Sequence, residues 1–551
     1  MFHKDRIRPF FLLILILIST FLFIYNVGNL TFVDEDEAAY AKVAQEMLER
    51  NDWIYPFCNY TPFIDKPPVI YWGIAISFKL FGINEFAIRF WHSIIGILAV
   101  LVTYLIAKEL FNAKAGLFAG LILATSVQYF YQARMALCDI PLTFFITLSL
   151  YFFLLFFRRK AISFYYLSII AIALATLTKG PIGAVIPVLI IGLYLFFTRG
   201  RLFLDKGGFH IFSGLLLFFG IVSPWFILQI IRYKSYFVKT YFFLHADRAI
   251  HPVVSSGIGR GPLYFYIFII AGGFLPWSGI MVHSIGAMLR RNWYCIKRPS
   301  FCEPEKKKEI FLLIWAGVIF ILFSVFWMKT PRYIMPIYPA LAIISSKFFA
   351  KSRLTYSPKV GSVREEENGR NFLPFLLSII FAPFIIAAIF IAKRTLPSDA
   401  QVYLPVLMPT FIILGLGILA SSIFLLKNRK IAFAGFFITA FISYIALIHF
   451  AGIHFNKLRM SKPFAEKINQ TINKGDKIII YQPFYEDGVS LAFYTNHYLH
   501  TVNDEKELIS FINSDVRIFC VAPESAIESL KGKVKINILE ERAGRTLFTN
   551  R

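Results

Sequence analysis

Long apolar runs recur along this chain, and each must be withdrawn from water for the protein to fold. About thirteen are long enough to cross a bilayer as helices. The overall composition agrees, since 57% hydrophobic residues and a mean hydropathy of +0.63 exceed the values of soluble proteins. We therefore predict an α-helical polytopic membrane protein. The predicted spans begin near Pro9, Ala87, Ala115, Ile140, Ala161, Ile182, Phe209, Leu263, Ile310, Ile334, Phe372, Leu404 and Ile431.

The basic residues are distributed unevenly between the loops that join these runs. The formal net charge is +24, and most Lys and Arg residues lie in alternate short loops. The positive-inside rule explains this distribution and predicts a cytoplasmic N-terminus. Because the rule accounts for the charge, we expect no nucleic acid among the partners.

The other set of loops carries polar motifs that the positive-inside rule does not explain. Their location on one side predicts a single extracytoplasmic active site. The motifs are an acidic loop from Val33 to Trp72, RMALCD at 134–139, Lys179-Gly180-Pro181, LHADRAIH at 244–251 and KTPRY at 329–333.

The acidic loop follows the first apolar run. Four carboxylates, from Asp34 to Glu37, cannot lie in hydrocarbon and so belong at the membrane face. Apolar residues at helical spacing after Glu37 predict an amphipathic helix along the interface, with the acids in its first turn. Asp65 and Lys66 precede a Pro-Pro pair, which predicts extended backbone through these charges.

Three segments of this loop, DEDEAAYAKVAQEML, NDWIYP and DKPPVIYW, resemble the first extracytoplasmic loop of bacterial aminoarabinose (4-amino-4-deoxy-L-arabinose) lipid A transferases and dolichyl-phosphate-mannose protein mannosyltransferases. The resemblance implies a GT-C fold and a membrane glycosyltransferase. Its donor would be a polyprenyl-phosphate sugar of the undecaprenyl type, and its acceptor lipid A or a related envelope glycolipid. A protein O-mannosyltransferase is the alternative. A transporter or lipid flippase is a further alternative, although it predicts ionisable residues near mid-membrane and internal repeats.

Carboxylates in such a reaction orient or deprotonate the acceptor. By resemblance, Asp36 matches the principal acidic position of the family, Glu37 is its neighbour and Asp139 matches a second acidic position. We predict these three residues as catalytic. Four acids follow one another, so a single sequence does not fix which of them aligns with the family's acidic position. Asp34 is therefore an alternative to Asp36.

Cations must hold the leaving phosphate at the headgroup level. Basic residues at this level can instead bind bulk lipid headgroups. The alternative for Arg134 and Asp139 is a surface ion pair. The alternative for Lys179 is a side chain that snorkels from a helix end to the interface. The predicted donor-phosphate ligands are Lys66, Arg248, Lys329 and Arg332, with Arg134, Lys179 and Tyr333 in support.

The resemblance also implies a metal site formed by Asp65 and His245. Two ligands are fewer than the usual three or four. We therefore predict no required cofactor, with a divalent zinc or magnesium ion at this pair as the alternative.

Composition changes after the last apolar run. Short β-type and α-type patterns alternate there, which predicts a soluble α/β domain. The predicted domains are a transmembrane GT-C catalytic domain at 1–451, with an extracytoplasmic loop at 31–86, and an extracytoplasmic α/β domain at 452–551. The predicted location is the bacterial inner membrane, where membrane lipid surrounds the protein.

Overall fold

The computed structural model describes residues 2–198, 207–243, 262–297, 303–350, 372–381, 404–483, 487–530 and 532–551. The chain forms two compact units. The first comprises Met1–Tyr25, Asp65–Pro67 and His92–Ile448, and the second comprises Asn26–Ile64, Pro68–Trp91 and His449–Arg551.

The first unit is helical. Its helices, of which α4 begins in the second unit and α17 ends there, are α1 (Phe2–Ile24), α4 (Glu85–Leu110), α5 (Ala113–Ala124), α6 (Val127–Ala133), α7 (Asp139–Arg159), α8 (Ile162–Lys179), α9 (Ile182–Thr198), α10 (Gly207–Phe237, continued by a π-helix at Val238–Phe243), α11 (Phe265–Gly273), α12 (Ser278–Lys297), α13 (Pro304–Val325), α14 (Tyr338–Ala350, preceded by a 3-10 helix at Pro331–Ile337), α15 (Phe372–Phe381), α16 (Leu404–Lys427) and α17 (Arg429–Phe455).

Eight helices of the described residues are long and apolar enough to cross a membrane. Two bent pairs, α5 with α6 and α11 with α12, raise the number to ten if each pair is one span. Three further predicted spans coincide with shorter apolar helices, at Pro9–Ile24, Ile182–Thr198 and Phe372–Phe381. The prediction of a polytopic α-helical protein is confirmed, whereas the number thirteen stays a prediction.

The bend between α5 and α6 is held by side chains from distant helices. The two helices meet at 71°, so the backbone and side chain at the break need partners outside the regular helix. Trp277 Nε1 donates to Thr125 Oγ1 at 3.0 Å, and Tyr444 Oη donates to the Thr125 carbonyl at 2.7 Å. Both contacts are buried, and they fix the bend.

The second unit combines the acidic loop with the C-terminal residues. Its elements are α2 (Glu35–Arg50), β1 (Phe57–Cys58), β2 (Thr61–Pro62), α3 (Val69–Phe81), α18 (Ser461–Thr471), β3 (Lys477–Tyr481), α19 (Asp487–Thr495), β4 (Leu499–Val502), α20 (Glu505–Ile512), β5 (Ile518–Pro523), α21 (Glu524–Leu530), β6 (Asn537–Arg542) and β7 (Arg545–Thr549).

The C-terminal strands form one sheet in the order β4-β3-β5-β7-β6. Strands β3, β4 and β5 are parallel, whereas β7 pairs antiparallel with β5 and β6. Apolar side chains cover both faces, as expected for a sheet between helical layers. The predicted C-terminal α/β structure is confirmed; α18 and β7 were not predicted.

The predicted helix after the acidic loop is present as α2, but its predicted amphipathic placement is wrong. Every residue from Glu37 to Met47 is buried, because α3 and α19 pack against the helix. The buried Lys42 and Glu46 side chains lie 3.6 Å apart. Lys42 also donates to Asn496 at 2.9 Å, and the Glu46 carboxylate accepts the Tyr60 backbone N–H at 3.1 Å. Burial lowers the pKa of Lys42 and raises that of Glu46, while their mutual attraction opposes both shifts.

The prediction that the Pro-Pro pair keeps a helix from forming through the preceding charges is confirmed, but Asp65 and Lys66 lie in a bend and not in extended backbone. Strand β2 ends at Pro62, and α3 begins only at Val69, directly after Pro68. The charges of Asp65 and Lys66 therefore lie outside any helix.

The β1–β2 hairpin is attached to the open edge of the C-terminal sheet by one side chain. The Asn59 amide donates to the Leu499 carbonyl and accepts the Leu499 N–H, both at 2.9 Å. This pair of bonds imitates a strand neighbour for the edge strand β4. The acidic loop and the C-terminal residues are therefore one folded body, and the predicted domain boundary at 451/452 stays a prediction.

We expect Asn59→Gly to loosen this edge. Glycine tolerates the left-handed φ of 52° at this position, so the change removes the two amide hydrogen bonds without adding backbone strain. The loss should cost about 1–3 kcal/mol and accelerate amide hydrogen exchange across β4. Asn513→Gly, at an exposed helix end, is the matched control. Unchanged exchange in β4 would show that the Asn59 contact does not hold the edge.

Candidate active site

The acidic residues of the second unit begin α2. Asp34 is the N-cap, with extended φ and ψ, and its carboxylate accepts the Asp36 backbone N–H at 2.9 Å. This is the usual task of an acid at an N-cap. Asp36 lies in the first helical turn and is partly exposed. Asp34 therefore has a capping role, and the predicted catalytic role of Asp36 stays a prediction.

Glu37 lies in a different environment from Asp36. Its carboxylate is fully buried and accepts two hydrogen bonds from Arg89, Nε to Oε1 and Nη2 to Oε2, both at 2.7 Å. Such a bidentate pair orients both groups closely. The predicted catalytic role of Glu37 is untested, and these contacts give the side chain a structural role.

Arg89 also fixes the backbone that leads into α2. Its remaining donors bind three carbonyls: Nη1 reaches Val27 at 3.0 Å and Leu30 at 2.5 Å, and Nη2 reaches Thr31 at 3.1 Å. Because one guanidinium holds both Glu37 and the preceding segment, it determines where the first turn of α2 begins. Sequence analysis missed Arg89, since a basic residue near a helix end is also explained as an interfacial charge.

Asp139 and Lys179 form the central contact of the polar cluster in the first unit. Lys179 Nζ lies 2.5 Å from Asp139 Oδ1, and the Asp139 side chain is 1% exposed. Arg332 Nε lies 3.9 Å from Asp139 Oδ2. Within the described part of the chain, Oδ2 accepts no hydrogen bond. The predicted residues Asp139, Lys179 and Arg332 are therefore brought together.

Two tyrosines complete the surroundings of Lys179. The Lys179 ammonium lies 4.4 Å from the centre of the Tyr333 ring, a cation–π distance. A Cβ placed on the neighbouring Gly180, whose φ is +81°, would lie only 2.5 Å from the Tyr241 hydroxyl. Glycine thus permits the close approach of Tyr241. Sequence analysis did not single out Tyr241; its position just before LHADRAIH was the available signal.

Lys66 belongs to the same unit. Its Nζ lies 2.7 Å from Asp65 Oδ2, and both side chains are mostly buried. Burial raises the pKa of the nearby Cys138 thiol. The charges that also act on this thiol are those of Lys179, Asp139, Lys66 and Arg332. Lys66, Lys179 and Arg332 therefore all lie within electrostatic range of Cys138, beside Asp139.

Two other predicted residues make contacts with backbone carbonyls. Lys329 Nζ donates to the Phe326 carbonyl at 2.6 Å and is 6% exposed. Arg134 Nη1 donates to the Leu22 carbonyl at 2.8 Å, at the end of α1. The Arg134 contact stabilises a helix end.

The proposed metal pair cannot be completed from the described residues. His245 and Arg248 lie outside them, and the Asp65 carboxylate is held by Lys66. The described residues contain no group of three His, Cys, Asp or Glu side chains suited to a metal ion. The metal site of Asp65 and His245 therefore stays a prediction.

Comparisons with known proteins bear on the family and the fold of the chain. Residues 65–228 match the family described as dolichyl-phosphate-mannose-protein mannosyltransferase. An Aquifex aeolicus protein is 30% identical over 361 residues, which are 64% of this chain and 76% of that protein. The undecaprenyl phosphate-alpha-4-amino-4-deoxy-L-arabinose arabinosyl transferase of Wigglesworthia glossinidia brevipalpis is 29% identical over 66% of this chain. The chain spans 64% of that transferase.

The fold is also that of a solved structure. ArnT from Cupriavidus metallidurans bound to undecaprenyl phosphate aligns with a TM-score of 0.78 at 20% identity, over 98% of both chains. The chain belongs to the GT-C superfamily of glycosyltransferases. The resemblance seen in the acidic loop is confirmed, and it extends across the GT-C fold as a whole.

We expect Asp139→Asn to destabilise this GT-C chain by about 3–5 kcal/mol, because the largely buried Lys179 would lose its counter-charge. Adding Lys179→Met should recover most of the loss, since the double variant buries no unpaired ion. Unfolding in mixed micelles, followed by circular dichroism during a dodecyl sulfate titration, measures both effects.

The matched control is Glu109→Gln, which removes a carboxylate from a more exposed pair with Arg158 and should cost less than about 1 kcal/mol. If Asp139→Asn costs no more than Glu109→Gln, the Asp139–Lys179 pair does not stabilise the cluster.

Arg89→Lys tests the second unit of the GT-C chain. Lysine keeps the positive charge but cannot bind a carboxylate and three carbonyls together. We expect a loss of at least about 2 kcal/mol and faster amide exchange from residue 27 to residue 37. Arg542→Lys, a partly exposed arginine of the same unit, is the control. If amide exchange from residue 27 to residue 37 is equally fast in both variants, Arg89 does not stabilise this segment.

Proposed function

We propose that this protein is an integral-membrane glycosyltransferase that moves a sugar from a polyprenyl-phosphate donor, of the undecaprenyl type, to an extracytoplasmic acceptor. The acceptor we propose is lipid A or a related envelope glycolipid. The observation that carries the proposal is the largely buried pairing of Lys179 and Arg332 with Asp139, with Lys66 acting on the adjacent Cys138, in a GT-C chain. The activity for which the arabinosyl transferase relative is named and the undecaprenyl phosphate bound to ArnT support it.

The cations of the cluster suit the leaving group. Breaking the bond between the anomeric carbon and the phosphate oxygen leaves a polyprenyl phosphate with one more negative charge. Arg332 can bind phosphate oxygens in a bidentate manner, whereas Lys66 acts as a point charge. Both side chains are partly exposed, at 21% and 12%. Preorganised cations of this kind stabilise charge that develops in the transition state.

Asp139 and Asp36 have different proposed roles. Asp139 Oδ1 forms an ion pair with Lys179 Nζ at 2.5 Å. We therefore assign Asp139 to holding that lysine and its neighbours in place. Asp36 is partly exposed at the start of α2, and we assign it to orienting or deprotonating the acceptor. If the acceptor group is a phosphate, it is already anionic and the carboxylate orients it.

We also propose the topology. The N-terminus is cytoplasmic, thirteen spans cross the bacterial inner membrane, and the acidic loop and the C-terminal α/β residues are extracytoplasmic. The supporting observation is the alternation of basic loops along the chain.

The proposed function is tested by a transfer assay with the purified full chain. Undecaprenyl-phosphate aminoarabinose and lipid A are the substrates, and mass spectrometry detects the glycosylated lipid. We expect Asp36→Asn and Arg332→Ala each to lower the initial rate by about a hundredfold or more. Asp34→Asn is the matched control for Asp36, because asparagine also caps helices, and should retain nearly full activity.

Three outcomes would change the proposal. Transfer to a protein instead of lipid A would support the protein O-mannosyltransferase alternative. Activity within a few-fold of wild type for Asp36→Asn would remove this residue from the mechanism. Loss of activity in Asp34→Asn with retention in Asp36→Asn would exchange their roles.

A further inference from the structure

The 3-10 helix at Pro331–Ile337 carries two side chains of the polar cluster in the first unit. Arg332 Nε lies 3.9 Å from Asp139 Oδ2, and the centre of the Tyr333 ring lies 4.4 Å from the Lys179 ammonium. A 3-10 helix has poorer hydrogen-bond geometry than an α-helix, and the two prolines of this one donate no backbone hydrogen bond. Contacts from outside the segment must therefore fix its position.

Two side chains from other helices hold the backbone that leads into Arg332. Gln128 Nε2, on α6, donates to the Pro331 carbonyl at 2.5 Å. The Tyr266 hydroxyl, on α11, donates to the Thr330 carbonyl at 3.1 Å. These carbonyls belong to the two peptide groups that flank Pro331, so the chain is bonded on both sides of that residue directly before the arginine.

The orientation of the Gln128 amide is set by a third side chain. Tyr338 Oη, at the start of α14, donates to Gln128 Oε1 at 2.5 Å, and both side chains are buried. An amide has a donor end and an acceptor end. In the reverse orientation its oxygen would face the Pro331 carbonyl, and both groups would lack a donor. The hydrogen-bond chain therefore runs from Tyr338 through Gln128 to the Pro331 carbonyl.

A glycine leaves the space that this hydrogen-bond chain occupies. A Cβ placed on Gly273, the last residue of α11, would lie 2.5 Å from Gln128 Oε1 and closer still to the Tyr338 hydroxyl. A Cβ on the adjacent Gly272 would meet no atom from another part of the described chain within 4 Å. The close approach at Gly273 is thus specific to the hydrogen-bond chain.

The helix that carries Gln128 is itself fixed. The Phe130 ring stacks on Tyr444, with ring centres 3.9 Å apart and planes at 6°. The Tyr129 hydroxyl donates to the Gly96 carbonyl at 2.9 Å, and this contact is buried. Because α6 is held on both sides of the bend before it, the Gln128 amide has a fixed origin.

We infer that Gln128 is a positioning residue for Arg332. It acts through the Pro331 carbonyl, and Tyr338 sets its orientation. The guanidinium is thereby held beside Asp139 before the donor arrives, and preorganised cations stabilise developing charge best. The inference rests on the proposed phosphate-binding role of Arg332, whereas the placement of the 3-10 helix follows from the hydrogen bonds.

The first readout does not depend on sugar transfer. Amide hydrogen exchange is measured for residues 330–338 of the full chain in detergent. Gln128→Met keeps the length of the side chain but removes both hydrogen bonds, and it should accelerate exchange in this segment by about tenfold or more. Gln132→Met, one turn later on α6, is the matched control. Its buried Oε1 accepts no hydrogen bond from the described residues, so exchange in this segment should match wild type.

The second readout is the transfer assay described above. Gln128→Met should lower kcat by about tenfold or more and leave KM for lipid A nearly unchanged, since the residue does not contact the acceptor. In an Arg332→Ala background the same substitution should lower the rate by less than about twofold, because it has no guanidinium left to position. A merely structural role would give the same factor in both backgrounds.

Gly273→Ala disturbs the hydrogen-bond chain without changing its members. Alanine is favourable in a helix, and the atoms that its methyl group would crowd are the ends of side chains, so the fold should be preserved while these atoms are displaced. We expect the same changes in exchange and kcat as for Gln128→Met. Gly272→Ala is the matched control and should behave like wild type.

Two results would overturn the inference. One is unchanged exchange at residues 330–338 in both Gln128→Met and Gly273→Ala. The other is an equal loss of transfer rate from Gln128→Met with and without Arg332, because the glutamine would then act elsewhere. If the wild-type protein transfers no sugar, the proposed function fails, and the exchange measurement decides whether Gln128 positions the segment that carries Arg332.

Discussion

An ionised side chain among apolar groups must be paired, and this constraint determines how the two units of this protein are built. Each unit is organised around a buried ion pair: Lys179 with Asp139 in the first, and Arg89 with Glu37 in the second. The apolar surfaces that surround these pairs supply most of the folding free energy but little directional information. The ion pairs determine the relative positions of the helices that carry them, because a bidentate or short contact can form in few arrangements.

The same constraint explains why α2 differs from an interfacial helix. Its spacing of apolar residues is also that of a helix with one wet face, yet Lys42 and Glu46 are both buried. Burial of these two charges is tolerated because each has partners, Asn496 for the lysine and the Tyr60 backbone for the glutamate. Lys42 on α2 therefore contacts the C-terminal residues through Asn496, while Arg89 holds the start of the helix through Glu37.

Local patterns predicted much of this structure. The apolar runs, the Pro-Pro break before α3 and the alternating C-terminal elements were visible because each depends on nearby residues. Short motifs also located Asp139, Lys179 and Arg332, which the fold brings together. Arg89, Tyr241 and Asn59 were missed because their partners are distant in sequence, and nothing in a single sequence identifies a pair of that kind. The burial of α2 was missed for the same reason, since α19 follows it by more than 400 residues.

The charge balance of the first-unit cluster bears on its chemistry. Among the described residues, three cations, Lys66, Lys179 and Arg332, act on the Cys138 thiol, and two carboxylates, Asp65 and Asp139, pair with them. A lipid-linked phosphodiester carries one negative charge, and its departure as a monoester adds negative charge. A site with a large excess of positive charge would hold the product phosphate strongly and slow its release, whereas a neutral site would not favour charge development. On the proposed function, the carboxylates limit the positive charge that meets the phosphate while holding the cations in place.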